Sequence, residues 1–204
     1  MSGMARLPRT FTPHCAVHVV NRGVERRRLF DRPRDYDDFL DMMDHALARR
    51  PVRLLAYALM PNHWHLVLWP DATHKPSQFL HYLTTLHAAH FRQVTDTRGD
   101  GHVYQGRFHS TSIDSDAQYL HTLRYIEANP VRARFVHRAE DWPWTSLVER
   151  RGQPLRIVSG PVTLPGPELW TALVNTHGGA VGTDDVARAT LAAPQKSSPT
   201  QNGV

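Results

Sequence analysis

Hydrophobic and polar positions along the chain change period several times, and each change marks an element. Ala16 to Val20, AVHVV, alternates as a strand does and ends at Asn21-Arg22-Gly23, a turn signal. After Asp31-Arg32-Pro33, apolar Tyr36, Phe39, Leu40, Met43 and Leu47 recur at helical spacing, with Asp31 as the expected cap and Pro33 in the first turn. That helix is expected to stop near Arg50-Pro51. Val52 to Leu59 is apolar and of strand length, Met60-Pro61-Asn62 interrupts it, and His63 to Trp69 resumes it, which predicts an antiparallel hairpin closed by Pro70. Ser77 to Val94 sets Phe79, Leu80, Leu83, Leu86 and Phe91 at helical spacing, with Ser77 as the expected cap. Beyond a loop at Gly99-Asp100-Gly101, His102 to Ile113 predicts a fourth strand interrupted near Gly106. Asp116 to Asn129 predicts a further helix, ended or kinked by Pro130.

The order β-α-β-β-α-β followed by a helix is that of an α+β, ferredoxin-like or RRM-like split β-α-β sandwich. It implies a four-stranded antiparallel sheet, helices on one face, a second face left free for a ligand, and one helix added at the C-terminal end. Past Glu140 the pattern weakens. Trp142-Pro143-Trp144 is expected to pack back onto the body, Leu155 to Thr163 to be extended, and Pro165 to Val174 to form one short helix. From Gly178 the chain turns to Gly, Ala, Thr, Ser, Pro and Gln, which bury too little apolar area to offset the entropy of ordering. The expected organisation is a domain over 1–146, an extension packed on it over 147–177, and a disordered tail over 178–204.

Composition narrows the function classes. With 204 residues and 41% hydrophobic content the chain can bury one good core. The single cysteine, Cys15, excludes an intramolecular disulfide and a cysteine-built zinc site, and fits a reducing compartment, so the cytoplasm is the expected location. The N-terminus lacks the apolar stretch of a signal peptide, and no window approaches the roughly 18 apolar residues of a membrane span. A formal charge of +5 biases the chain toward polyanions. Arginine supplies most of it in two clusters, Arg22, Arg26, Arg27, Arg28, Arg32 and Arg34, then Arg124, Arg132, Arg134 and Arg138. Guanidinium groups grip phosphate oxygens through paired hydrogen bonds, although each cluster reads equally well as a solvated face.

Two features carry candidate chemistry. On a strand, His63 and His65 project from one face and Trp64 from the other, which offers a divalent ion two imidazoles and leaves positions open. The alternative is a pair of ordinary strand histidines. Tyr125 and Asn129 stand four apart on a predicted helix and share its face. If that face abuts the histidine strand, Asn129 can offer its carbonyl oxygen as a third ligand, and Tyr125 can attack phosphorus to give a phosphotyrosine. The plainer reading makes them an amphipathic tyrosine and a helix-end asparagine. No Walker-type glycine loop is present, so no nucleotide cofactor is expected.

Four ordered blocks, MPNHWHLVLWP, GHVYQGRFHS, RYIEANPVRA and WPWTS, with the earlier HVVNRG, resemble the single-tyrosine HUH transposases of bacteria, and in particular REP-associated tyrosine transposases. The resemblance covers about Thr12 to Ser146; Trp64 stands at the hydrophobic position of the HUH triplet, where a smaller aliphatic residue is more usual. It implies that His63, His65 and Asn129 ligate magnesium or manganese and that Tyr125, on the added helix, is the nucleophile. It further implies nicking and rejoining of single-stranded DNA beside hairpin-forming palindromic repeats, by a monomer or homodimer with no membrane partner. Arg107 is the first choice for a phosphate contact. Arg22, Arg124 and Arg132 are further candidates, each equally able to be an ion-pair partner of Glu25, Glu127 or Asp141. Two other readings stay open, a catalytically silent hairpin-binding protein and a replication-initiator or relaxase-type HUH nuclease.

Overall fold

A computed structural model of the chain describes residues 11–97, 101–152, 156–159 and 164–176. Four antiparallel strands lie in the order β2-β3-β1-β4, where β1 is Ala16–Arg22, β2 Arg53–Met60, β3 His63–Trp69 and β4 His109–Ile113. The helices are α1 (Pro33–Arg49), α2 (Pro76–Val94), α3 (Asp116–Glu127), α4 (Asn129–Arg132), α5 (Ser146–Arg151) and α6 (Pro167–Asn175). This is the split α+β sandwich the sequence pattern predicts. None of the described helices is long and apolar enough to cross a membrane.

Strand alternation divides the apolar residues between two cores. Trp64, Leu66 and Leu68 of β3 and Val17 and Val19 of β1 face α1 and α2, where they meet Phe39, Met43, Phe79 and Leu83. Val67, on the same face of β3 as His63 and His65, joins Leu55, Ala58, Ile113, Leu123, Ile126 and Trp170 on the opposite side. A register shift at Leu54–Ala56 lets Leu55 and Ala56 both face this second core. The second face is therefore less open than the sequence suggests. The helices α3, α5 and α6 cover it over β2, and the exposed part is β4, where His109 to Ser112 lie at the surface.

Several element ends differ from expectation. The fourth strand begins at His109 rather than His102: Tyr104 makes one isolated bridge to Gly23 and the Gln105 N–H bonds the Arg22 carbonyl, after which the chain leaves the sheet. The cap of α1 is Arg32, not Asp31, because Pro33 occupies the first helical position. Asp35 accepts from the backbone N–H groups of both Asp31 and Arg32 at 3.0 and 2.9 Å. In the same way Pro76 opens α2 and makes Lys75 its cap in place of Ser77. The predicted helix to Asn129 divides at Ala128 into α3 and α4. Most of the predicted extended segment 155–163 and the predicted tail lie outside the described residues.

Candidate active site at the β3–α4 junction

Strand β3 presents His63 and His65 side by side, their rings 4.9 Å apart between centroids and inclined at 79°. Arg22 and Val20 of β1 are their respective cross-strand neighbours. Burial lowers the His63 imidazole to about 4, and the Arg22 charge adds to the shift. Burial also holds His65 well below its ordinary value, helped by His63, His18 and Arg22. Both rings are thus neutral near pH 7, the form in which imidazole ligates a metal. Trp64 turns the other way, fully buried, and its Nε1–H donates to the Tyr104 hydroxyl at 3.2 Å.

The helix α3 starts at Ser115, whose Oγ accepts from the Gln118 N–H at 3.2 Å, and runs so that Tyr125 meets the histidine strand. The Tyr125 ring stands edge-on to His65, 6.2 Å between centroids, and the side chain is 37% exposed. One turn later the Asn129 amide Nδ2 donates to His65 Nε2 at 3.3 Å. The Arg132 guanidinium lies 5.0 Å from the Tyr125 ring centroid. Fully buried Glu127 anchors this helix. It accepts from Ser146 Oγ and from Trp170 Nε1, both at 2.6 Å, and pairs with Arg150. The WPWTS block supplies Ser146 to this clamp and is itself fastened to the body, since Trp142 Nε1 donates to the Leu59 carbonyl of β2 and Trp144 Nε1 to Asp37 of α1, each at 2.9 Å.

The donor set suits a divalent ion. The Nδ1 atoms of His63 and His65 are occupied within the fold, by Asn62 Oδ1 at 2.7 Å and His18 Nε2 at 3.0 Å, which leaves Nε2 of each ring for a ligand. Half a turn of the Asn129 amide exchanges Nδ2 for Oδ1 beside His65. Among the described residues no three His, Cys, Asp or Glu side chains are gathered so as to hold an ion. Among the described residues the Asn129 amide is then the third donor beside the two histidines, and an ion held there would keep positions open for further oxygens.

The candidate arginines separate by place. Arg22 is half-buried beside His63, and Arg132 is exposed beside Tyr125. Arg107 is exposed on the segment joining Tyr104 to β4, next to the backbone bond between Gln105 and Arg22. Arg124 turns away, donating Nε to the Leu173 carbonyl at 2.7 Å and a terminal nitrogen to Thr176 Oγ1 at 3.2 Å, so it fastens α6. Its partners are none of the acidic residues considered from the sequence. Sequence reasoning passed over Glu127, Ser146, Asn62 and His18 as parts of the site. The first three lie inside the recognised blocks and His18 inside HVVNRG, so the signal was position within a motif.

Residues 11–129 match the family described as transposase IS200 like. A REP-associated tyrosine transposase of Escherichia coli (strain K12) is 27% identical over 112 residues, which cover 52% of this chain and 63% of that protein. The match thus spans less than two thirds of that relative's length. A solved structure of a REP-associated tyrosine transposase bound to a REP hairpin superposes with a TM-score of 0.59 at 20% identity, covering 78% of this chain and 93% of the other. At that identity the likeness speaks for the fold, and the family match, across the strands and the Tyr125 helix up to Asn129, speaks for more: the chain belongs to the IS200-like transposase family.

Proposed function

We propose that the protein is a metal-dependent DNA transesterase that nicks and rejoins single-stranded DNA beside hairpin-forming palindromic repeats. The observation that carries this reading is the meeting of Asn129 with His65 at 3.3 Å, with Tyr125 alongside. A magnesium or manganese ion held by His63, His65 and Asn129 would supply positive charge to a non-bridging phosphate oxygen, and neutral ligands would leave that charge nearly whole. Tyr125 Oη attacks the phosphorus, forming a P–O bond to tyrosine and breaking the P–O3′ bond. The electron pair leaves with O3′, the phenolic proton is passed on, and a free 3′ hydroxyl results while the 5′ phosphate stays on Tyr125. Attack by another 3′ hydroxyl reverses the exchange, so no nucleotide is consumed.

Arg22, Arg107 and Arg132 are assigned to phosphate oxygens around the scissile bond, a role for which exposed or half-exposed guanidinium groups flanking the site are suited. The hairpin preference rests on the relative solved with a REP hairpin. Incubation with hairpin-bearing single strands and manganese should give a covalent protein–DNA band on a denaturing gel, absent from Tyr125→Phe. A band that persists in Tyr125→Phe would overturn the assignment of the nucleophile. Salt-sensitive hairpin binding with no band under any divalent ion would favour a silent binding protein instead.

A further inference from the structure

Two side chains outside the proposed ligand set touch it. His18 lies on β1 two residues before Val20, the cross-strand neighbour of His65, so both rings are on one face of the sheet. His18 Nε2 is 3.0 Å from His65 Nδ1, and the ring planes are only 18° apart with centroids separated by 5.2 Å. Rings so nearly coplanar, at that separation and with nitrogens in contact, meet edge to edge. The geometry is that of an N–H···N bond, in which one nitrogen carries the proton and the other a lone pair.

The direction of that bond follows from the far side of the ring. As the Asn129 amide stands, Nδ2 donates to His65 Nε2, and after the half turn that brings Oδ1 to an ion Nε2 needs the same lone pair to ligate it, so in both arrangements the proton sits on Nδ1, with His18 Nε2 accepting. At His63 the partner of Nδ1 is Asn62 Oδ1 at 2.7 Å, and a carbonyl oxygen can only accept. The Asn62 amide is itself oriented, because its Nδ2 donates to the Arg26 carbonyl at 3.4 Å, in a turn where Glu25 and Arg26 have φ of 51° and 59°. Sequence-distant and sequence-adjacent groups thus produce the same outcome at both rings.

We propose that His18 and Asn62 are positioning residues that hold His65 and His63 as their Nδ1–H tautomers, leaving Nε2 of each ring as the ligating nitrogen. The proposal rests on the metal reading above. Metal-bound histidines commonly donate their other N–H to a carboxylate or backbone carbonyl. Here a neutral imidazole and an amide take that place, so the ion's charge is not offset from behind.

Ring nitrogen NMR on the full chain without metal reads the tautomers directly, and manganese titration reads their consequence. Wild type should show His63 and His65 protonated at Nδ1. In His18→Leu, His65 should lose that preference and manganese affinity should fall roughly 10- to 100-fold. His18→Gln, whose side-chain oxygen can accept where Nε2 stood, should restore both. Asn62→Ala should do to His63 what His18→Leu does to His65. Nε2–H tautomers in wild type would overturn the proposal, as would unchanged tautomers and affinity in folded His18→Leu and Asn62→Ala. Should His18→Leu not fold, the wild-type spectrum and His18→Gln still decide. Failure of the metal reading looks different: manganese would not bind wild type, or would bind His63→Ala equally well, whatever the tautomers.

Discussion

Trp170 Nε1 donates to Glu127 Oε2 across 2.6 Å, joining α6 to the helix that carries Tyr125. With Arg150 and Ser146 it completes the shell of a carboxylate that has no exposure to water. Removing Glu127 strands the Arg150 charge, which is itself largely buried. Glu127→Ala should therefore cost about 3–5 kcal/mol, and Trp170→Phe about 1–3 kcal/mol through one unpaired carboxylate oxygen. Urea unfolding measures both, and a Glu127→Ala variant as stable as wild type would disprove the clamp.

A second expectation concerns acid. His87 is fully buried, its imidazole is lowered to about 3 by burial with His90 adding, and its Nδ1 shares a hydrogen bond with the Tyr104 hydroxyl at 2.6 Å. Below the ordinary value of 6.5 the unfolded chain takes up a proton that the folded chain refuses. Stability is thus fully present above that value and falls as the pH drops toward the folded one. Between pH 7.5 and 5.5 the loss is about 1.4 kcal/mol for each such histidine. His87→Asn, which keeps an acceptor and cannot titrate, should be less stable at pH 7.5 but should lose about that much less on acidification. Equal losses in the two proteins would contradict the assignment.

The turn after β1 should resist substitution. A Cβ on Gly23 would stand 2.3 Å from the Arg27 carbonyl oxygen, a backbone atom that cannot step aside. The Gly23 N–H also bonds the Asn62 carbonyl at 2.9 Å, which ties the turn to the residue beside His63. Gly23→Ala is expected to cost about 1–3 kcal/mol, read as a lowered melting temperature, and to weaken manganese binding together with it. A change within about 0.5 kcal/mol would mean that the turn relaxes freely.

Metal should matter to reaction far more than to folding. The histidine Nδ1 atoms already have partners in the protein, so chelation should leave the fold intact and abolish the covalent DNA band. Manganese at 100 times its dissociation constant should raise unfolding free energy by about 2.7 kcal/mol, and His63→Ala should remove that increment. An EDTA-treated sample that still forms the band would exclude the metal role.

Local pattern revealed what depends on neighbours in the chain. The His63–Trp69 alternation identified the strand and the face of each side chain, and the spacing of Tyr125 and Asn129 put both on one helical face. Contacts closed over long loops were invisible. His18 meets His65 across 47 residues, and the three donors to Glu127 come 19, 23 and 43 positions later. The same limit applies to Arg124, which the sequence left equally as a phosphate contact or an ion-pair partner, and which bonds the Leu173 carbonyl 49 positions on. The fourth strand was overestimated because alternation persists through His102–Phe108 even though the backbone there leaves β1 after a single bridge.

Strand β3 lies between β2 and β1, with its core face filled by Trp64 and its other face bearing the two histidines. The spacing of those histidines is therefore a property of the ladder, and no loop can lengthen or shorten it. Tyr125 and Asn129, in contrast, arrive on the successive helices α3 and α4, which are held by a set of side-chain bonds. Any change in the distance between Tyr125 and the imidazole pair therefore has to come from the helices and their clamp, because the pair stays where the sheet puts it.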